Sequence, residues 1–453
     1  MNLTNPERRR FLAASLGLVS LSALPTWARP LPSTGKAHVV IVGGGVGGCT
    51  AAKYLKLFDP GLRVTVVERN PLYLRPYGSS EVLTEHVTMQ DLEVSYDALK
   101  GKYGIELIID SVTGFDPEQR TLSTTSGQSI GYDRLIVSPG IELQYDAYEG
   151  LNAEVADSSI PAAWIPGPQT HLLASKIQNM RQGGTFVVGA PPNPYRCPPG
   201  PYERAALVVE WLRRNNPRAK VILLDPKDSF VTDETMLLGW NRLYDFNVPA
   251  DYRERLEEKV EVIEHSKTSM LSWVRGQDGG RILAVDADNN QIEIEAGIVD
   301  ADVINIIPPM KAGRLAMDLG LADETGWCPV ERRDFVSSLQ PNVYVIGDAC
   351  IADAMPKSGF SANTQAKTVA RAIVEELAGR PSPEPVWENT CYALAGTDYG
   401  LFVADVFRLV DGKIARVNTA GRYLPLDASP MQIRLAARYQ QSWLRTFTED
   451  CFA

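Results

Sequence analysis

Residues 37–68 constrain the fold more than any other stretch of this chain. Val39, Val40, Ile41 and Val42 form an apolar, β-branched run, the composition of a parallel strand buried on both faces. It leads into Gly43, Gly45 and Gly48, spaced G-x-G-x-x-G, and a helical pattern follows through Lys56. A second strand, residues 64–67, ends at Glu68, 20 residues after Gly48. Strand, glycine turn, helix, strand and terminal acid make a βαβ dinucleotide unit. Gly43 makes the tight turn, and Gly45 lets the backbone approach a pyrophosphate. Gly48 lets helix and strand touch, and Glu68 accepts hydrogen bonds from a ribose. A unit of this kind commits the chain to an α/β fold built on a parallel sheet.

The same order of elements recurs later. Residues 185–188 (TFVV) read as a strand, 202–213 as a helix and 220–225 (KVILLD) as the next strand. Between the first strand and the helix lies PPNPYRCPPGPYERA, residues 191–205. A pyrophosphate loop needs glycines and free N–H groups at a helix N-terminus. This loop has six prolines instead, and proline has no N–H to offer. In its middle stands Cys197. The second unit reads as a nicotinamide pocket given up, with a redox thiol installed in its place. Asp225 ends the following strand where a ribose-binding acid belongs; without a cradle it reads as a relic.

Two further segments bear on which dinucleotide the first unit holds. Residues 342–349 read as a strand ending in Gly347-Asp348, and residues 132–140 (YDRLIVSPG) as another strand. Both resemble parts of two-dinucleotide flavoproteins, in which that aspartate meets the ribityl chain of FAD. The resemblance implies two Rossmann-like, glutathione-reductase-like domains followed by a C-terminal α+β interface domain. Residues 36–145 and 305–378 would form a split FAD-binding domain. Residues 146–304 would be the degenerate second domain, with an antiparallel patch at 281–303, and 379–453 the last. Lys357, Ser358 and Gly359 lead into a helix from Ser361 whose positive end would face the flavin N1/O2 edge. Lys357 also has a plainer reading, as an ordinary solvated lysine.

Composition removes several function classes. The 453 residues carry a formal net charge of −10 and no dense basic patch, which argues against nucleic acid. The four histidines lie far apart, and the six cysteines form no CxxC pair, so no metal site is expected. Without a CxxCH, any c-type haem belongs to a partner subunit. At the N-terminus Arg8, Arg9 and Arg10 precede an apolar run, residues 11–24, that closes on Thr26-Trp27-Ala28. This is the pattern of a twin-arginine export signal over residues 1–28. The alternative is a membrane anchor, but the run is shorter than the ~20 residues a span requires. Export would place the chain in the periplasm, where a disulfide persists.

From residue 37 to the C-terminus the chain resembles the flavoprotein subunit of flavocytochrome c sulfide dehydrogenase, a relative of sulfide:quinone oxidoreductases. The resemblance rests on RCPPGPYERA (196–205), GWCPV (326–330), GDACI (347–351), PKSG (356–359) and NTCY (389–392). It implies that Cys197 pairs with Cys391 in a redox disulfide beside the flavin, with Glu203 close by and Trp443 screening the site. Hydrosulfide would be the substrate, and a c-type cytochrome subunit, in a heterodimer with this chain, the electron acceptor. Residues 379–453 would dock that subunit. The amphipathic pattern at 431–452 ends in Glu449 and Asp450, which favours docking on protein over anionic lipid.

One departure stands out. Family members with covalent FAD carry a cysteine between two aromatic positions after the ribose-binding acid. Here that segment is Tyr73-Leu74-Arg75-Pro76-Tyr77. Pro76 cannot form a thioether, so non-covalent FAD is expected. Three functions stay open on the sequence: a sulfide dehydrogenase delivering electrons to cytochrome c, a periplasmic sulfide:quinone oxidoreductase, and a non-catalytic flavin-binding subunit whose disulfide is structural. Glu203 is open in the same way, between a proton-handling role and a first-turn acid that complements the helix dipole.

Overall fold

The computed structural model describes residues 37–418 and 421–453. The export signal expected at 1–28 lies outside the described residues. The first unit forms as β1 (His38–Val42), α1 (Val46–Phe58) and β2 (Arg63–Glu68). Every residue of β1 is buried, which is why residues 39–42 are a continuous apolar run instead of alternating. β1 lies between β2 and Arg134–Val137 in a five-stranded parallel sheet, with Glu106–Ile109 at one edge and Val343–Val345 at the other. That last strand arrives only after the chain has built a second sheet.

The second sheet contains β3 (Thr185–Gly189), the crossover helix α2 (Gly200–Asn215) and β4 (Lys220–Leu224). Leu271–Val274 flanks β4 and Val303–Ile306 flanks β3, all parallel. The antiparallel patch is shorter than its expected span of 281–303. It comprises Ile282–Asp286, Gln291–Ile294 and Gly297–Asp300. Val303 instead pairs in parallel with Phe186, because the run it opens is buried along its length and belongs in the sheet interior.

The remaining chain contributes α3 (Gly359–Leu377), the long antiparallel strands β5 (Val386–Gly396) and β6 (Tyr399–Val410), and α4 (Pro430–Phe452). α3 packs along α1, and α4 lies across β6 and α1. The end of α4 is locked into the first domain. Lys53 Nζ donates to the carbonyls of Glu449, Asp450 and Ala453, closing a helix C-terminus with a cation. The Asp450 carboxylate receives the Tyr54 hydroxyl at 2.7 Å, Asn363 Nδ2 at 2.8 Å and Lys367 Nζ at 2.7 Å. Asp450 therefore clamps α4 to α1 and α3. Among the described residues no helix is long and apolar enough to cross a membrane.

Candidate flavin and dithiol site

The glycine turn has the geometry its spacing implies. Gly43 sits at φ +103°, and a Cβ there would lie 2.3 Å from the Ser138 carbonyl oxygen. A Cβ on Gly48 would lie 1.9 Å from the Gly43 carbonyl oxygen. At Gly45 the nearest atom is 3.7 Å away, so that face of the turn is open. No side chain caps α1, leaving its first N–H groups for an anion. Glu68 Oε2 accepts the Gly44 N–H at 2.7 Å and Oε1 accepts the Asn70 N–H at 2.9 Å. The acid thus stands at the mouth of the turn.

Gly347 and Asp348 follow Val343–Val345, which is separated from β1 in the sheet by Arg134–Val137. Gly347 takes φ +79°, and its N–H donates to Gln365 Oε1 at 2.8 Å. Asp348 Oδ1 is buried with no hydrogen-bond partner. Burial raises its pKa, against the pull of Arg196 and Lys357. An orphaned buried acceptor costs about 1–3 kcal/mol, and a ligand hydroxyl at that oxygen removes the cost. Lys357 is not a solvated lysine. Its ammonium donates to the Asp348 carbonyl at 2.8 Å and the Cys350 carbonyl at 3.0 Å, 3.6 Å above the Trp327 ring centre. Burial lowers its pKa. Ser358 caps α3, accepting the Ser361 N–H at 3.0 Å, and Gly359 opens the helix. These residues fit FAD: a glycine cradle, an acid at the ribose, an unsatisfied acid further in, and a helix N-terminus with a buried cation.

The proline loop ends against these groups. Cys197 adopts φ +62°, a strained conformation for a residue with a Cβ. Its N–H donates to the Lys357 carbonyl and its own carbonyl accepts the Gly200 N–H, both at 2.9 Å. The loop is therefore hung on the segment that leads into α3. A Cβ on Gly200 would lie 3.0 Å from Cys197 Sγ and 2.6 Å from the Trp164 ring, so glycine here makes room for the sulfur. Cys391 lies on β5, and its Sγ donates to Asn389 Oδ1 at 3.4 Å. The same Asn389 oxygen accepts the Ser358 hydroxyl at 2.6 Å, tying the second sulfur to the cap of α3.

Both cysteines are thiols in this structure. Burial pushes each up to about 12, and the charge of Glu203 adds to the rise in both. Cys391 also raises Cys197, so the two sulfurs feel each other. Glu203 reaches from α2 to β5, where its Oε1 accepts the Leu394 N–H at 2.8 Å. Burial lifts its carboxyl to about 8; the Leu394 N–H and Arg204 oppose the rise, and Glu81 adds to it. A first-turn acid serving only the helix dipole has no need of that cross-link.

Trp443 on α4 lies over this region. It stacks on Phe447 at 4.8 Å, with Phe360 at 6.3 Å and Tyr392 at 6.1 Å, the neighbours of Gly359 and Cys391. α4 also holds the segment around Pro76: Tyr73 stacks on Phe452 at 4.9 Å and the Tyr77 hydroxyl meets Thr448 Oγ1 at 3.1 Å. Asn389, Trp327 and Trp164 escape a reading of spacing. Only their places inside the NTCY and GWCPV segments signal the first two, and nothing signals Trp164. Asp225 is taken up by the protein itself: the Tyr202 hydroxyl at 2.6 Å, Trp273 Nε1 at 3.2 Å and Lys227 Nζ at 2.6 Å all hold it. Among the described residues, no group of three or more His, Cys, Asp or Glu could hold a metal ion.

Two successive Rossmann-like sheets, a glycine cradle in one and a thiol loop in the other, define a flavoprotein of the two-dinucleotide-domain, glutathione-reductase-like class. Residues 170–308 match the family described as "Sulfide dehydrogenase [flavocytochrome c] flavoprotein chain, central". Residues 383–452 match "Flavocytochrome c sulphide dehydrogenase, flavin-binding", and 37–160 match "Pyridine nucleotide-disulphide oxidoreductase". A sulfide-quinone reductase of Aquifex aeolicus is 26% identical over 389 residues, 81% of this chain and 83% of that one. The sulfide dehydrogenase [flavocytochrome c] flavoprotein chain of Chlorobaculum thiosulfatiphilum is 56% identical over 34 residues, 8% of this chain and 71% of that one. The solved sulfide:quinone oxidoreductase of Aquifex aeolicus superposes with a TM-score of 0.67 at 20% identity, covering 91% of this chain and 92% of its own. These matches support a flavoprotein similar to those of the flavocytochrome c sulfide dehydrogenases and sulfide:quinone reductases.

Proposed function

We propose that this chain is a sulfide dehydrogenase that oxidises hydrosulfide at Cys197 and Cys391 and passes the electrons through non-covalent FAD to a c-type cytochrome subunit. The observation that carries the reading is the meeting of three elements at one point. The proline loop brings Cys197 and β5 brings Cys391 to the Lys357–Gly359 segment, and α2 brings Glu203 within electrostatic reach of both sulfurs.

Gly43, Gly45, Gly48 and Glu68 hold the adenosine diphosphate half of the cofactor. Asp348, Gly347, Lys357, Ser358 and Gly359 face its ribityl and ring end. The chemistry starts from the Cys197–Cys391 disulfide. Hydrosulfide attacks one sulfur, the S–S bond breaks, and one cysteine becomes a persulfide while the other leaves as a thiolate. Both thiols are hard to ionise here, so a leaving thiolate is a strong base in need of a proton. Glu203 is protonated below about pH 8 and supplies one. A second hydrosulfide takes the outer sulfur and departs as a disulfane, leaving the dithiol state. FAD, when bound, would supply the two-electron acceptor for re-forming the Cys197–Cys391 disulfide, one thiol proton going with the electrons and the other returning to Glu203. Trp443 and its aromatic neighbours keep water from the sulfurs.

The cytochrome reading rests on the central and flavin-binding family matches. A quinone is the second reading, because the relative that matches most of the chain is a quinone reductase. Anaerobic titration with sulfide is expected to bleach the flavin of the purified chain; an unchanged spectrum overturns both enzyme readings. Sulfide-dependent reduction of cytochrome c, set against a short-chain quinone, separates the acceptors. Acid precipitation is expected to leave FAD in the supernatant, since Pro76 offers no sulfur. We also place the chain in the periplasm, exported through its Arg8-Arg9-Arg10 signal; cell fractionation tests this.

A further inference from the structure

Glu203 needs a route for its proton, and the structure holds a second carboxyl behind it. Residues Ser79–Thr84 form a short 3-10 helix against α2. Arg204 Nε donates to Ser80 Oγ at 3.4 Å and Trp211 Nε1 to Glu85 Oε2 at 3.0 Å, which fixes the packing of the two elements. Glu81 lies in this helix and is 9% exposed. Its carboxylate receives Gln440 Nε2 from α4 at 3.1 Å, and no ion pair holds it among the described residues.

Glu81 and Gln440 line a cavity of about 670 Å³, together with Leu394 and His86. Asp97 and Arg445 on its wall are exposed, so the cavity reaches solvent. Gln440 is 5% exposed, and its Oε1 has no partner. That is an acceptor set for a water. The Leu394 N–H is also the group that holds Glu203. Glu203 thus sits one backbone amide behind the cavity wall, within electrostatic reach of Glu81 on that wall.

We infer that Glu81 relays protons between Glu203 and solvent through this cavity, with Gln440 holding its carboxylate and an intervening water. The inference rests on the sulfide reading for its substrate but not for its geometry. The charged groups around the pair come from every packed element. Cys197 and Cys391 face Glu203, while the Arg204 guanidinium is turned away, to the Ala162 and Ala163 carbonyls and Asn305. Arg75 and His86 lie beside Glu81, and α4 brings Arg445 and Glu449 to the cavity. None of these links Glu203 to solvent as directly as Glu81 does.

The test is stopped-flow flavin reduction in the holoenzyme as a function of pH, with sulfide and separately with dithiothreitol as reductant. Glu81→Gln is expected to slow reduction by both reductants about tenfold or more, less than the roughly 10²–10⁴-fold of a group that acts on the reacting atoms directly, because Glu81 acts through Glu203. It also removes a negative charge facing Glu203, so the alkaline limb of the profile moves to lower pH. Glu81→Asp keeps the carboxyl and is expected to restore most of the rate. A wild-type rate and pH profile in Glu81→Gln overturns the relay. Should that variant lose FAD, Gln440→Leu decides: a slowed, pH-shifted profile supports the relay and an unchanged one overturns it. If the unmodified protein responds to dithiothreitol but not to sulfide, the substrate reading fails while the relay is still read.

Discussion

The two βαβ units share a topology and differ in what fills the turn. β1 pairs with β2 in parallel over five residues, and β3 pairs with β4 in the same way. In the first unit the turn is backbone alone, drawn so tight that Gly43 and Gly48 have no room for a Cβ. Its acid, Glu68, is held only by N–H groups of its own surroundings and keeps a face toward the turn. In the second unit a proline-rich loop replaces the cradle and ends on a strained cysteine. Its acid, Asp225, is wholly buried and taken up by Tyr202, Lys227 and Trp273. One unit leaves its polar groups for a ligand, and the other spends them on itself and presents a sulfur. The fold is common to both; the turn decides whether the unit binds a nucleotide or supplies a thiol.

The sharpest break of that comparison is a pair of substitutions. Cys197→Ser is expected to keep FAD and to lose sulfide-driven flavin reduction by at least about 10³-fold, as removal of a residue that takes part in the covalent step does. Gly48→Ala drives a methyl into the Gly43 carbonyl, where backbone cannot yield cheaply. It is expected to cost roughly 1–3 kcal/mol of stability and most of the bound FAD, read from the flavin-to-protein absorbance ratio. Loss of flavin in Cys197→Ser, or a full complement in Gly48→Ala, would mean the two turns do not divide the work in this way.

The first unit was legible because each of its residues acts on near neighbours. Gly48 and Glu68 carry their reasons within 30 residues of sequence, and Gly43 carries its turn locally although the carbonyl that crowds it belongs to Ser138. The second was half legible. Six prolines and a cysteine announce the absence of a cradle, but the partners of Asp225 lie on α2, on Leu271–Val274 and just after β4. Lys357 kept a second reading as a surface lysine because nothing in PKSG reveals that its ammonium is enclosed by two carbonyls and Trp327. The role of Asp450 in holding α4 was not legible because its partners on α1 and α3 are far away in the chain. Glu203 was found through resemblance, yet its proximity to Glu81 depends on how α2 packs against the 3-10 helix. What escaped is long-range electrostatics, which hydrophobic period and motif spacing do not record.

A smaller break concerns Asp225 itself. Asp225→Ala leaves the Lys227 ammonium facing an empty, buried site and frees two aromatic donors. Removing one partner of a buried pair costs about 3–5 kcal/mol, expected here as a lower denaturant midpoint. The variant is expected to show no oxidation of NADH, because the acid was never what kept nucleotide out; the prolines were. NADH-dependent flavin reduction appearing in Asp225→Ala would reverse that order of causes.

The smallest effect is a slope. Glu203 titrates near 8 in the folded chain against 4.5 for an ordinary glutamate, chiefly because burial disfavours its charge. Between those two values the folded state holds a proton that the unfolded state has released. Stability from this group is therefore fully present below about pH 4.5 and is lost as pH rises through about 8. Glu203→Gln removes the titration, so its unfolding free energy should fall less steeply than that of the unmodified protein across this window. The same variant should flatten the alkaline limb of sulfide-driven reduction, since its amide holds no transferable proton. A Gly44→Ala control, whose added methyl would press on Glu68 and Tyr96 at 2.8 Å, should lower stability by a similar amount at every pH. Parallel slopes for Glu203→Gln and the unmodified chain would place the proton elsewhere and leave the thiol turn without its acid.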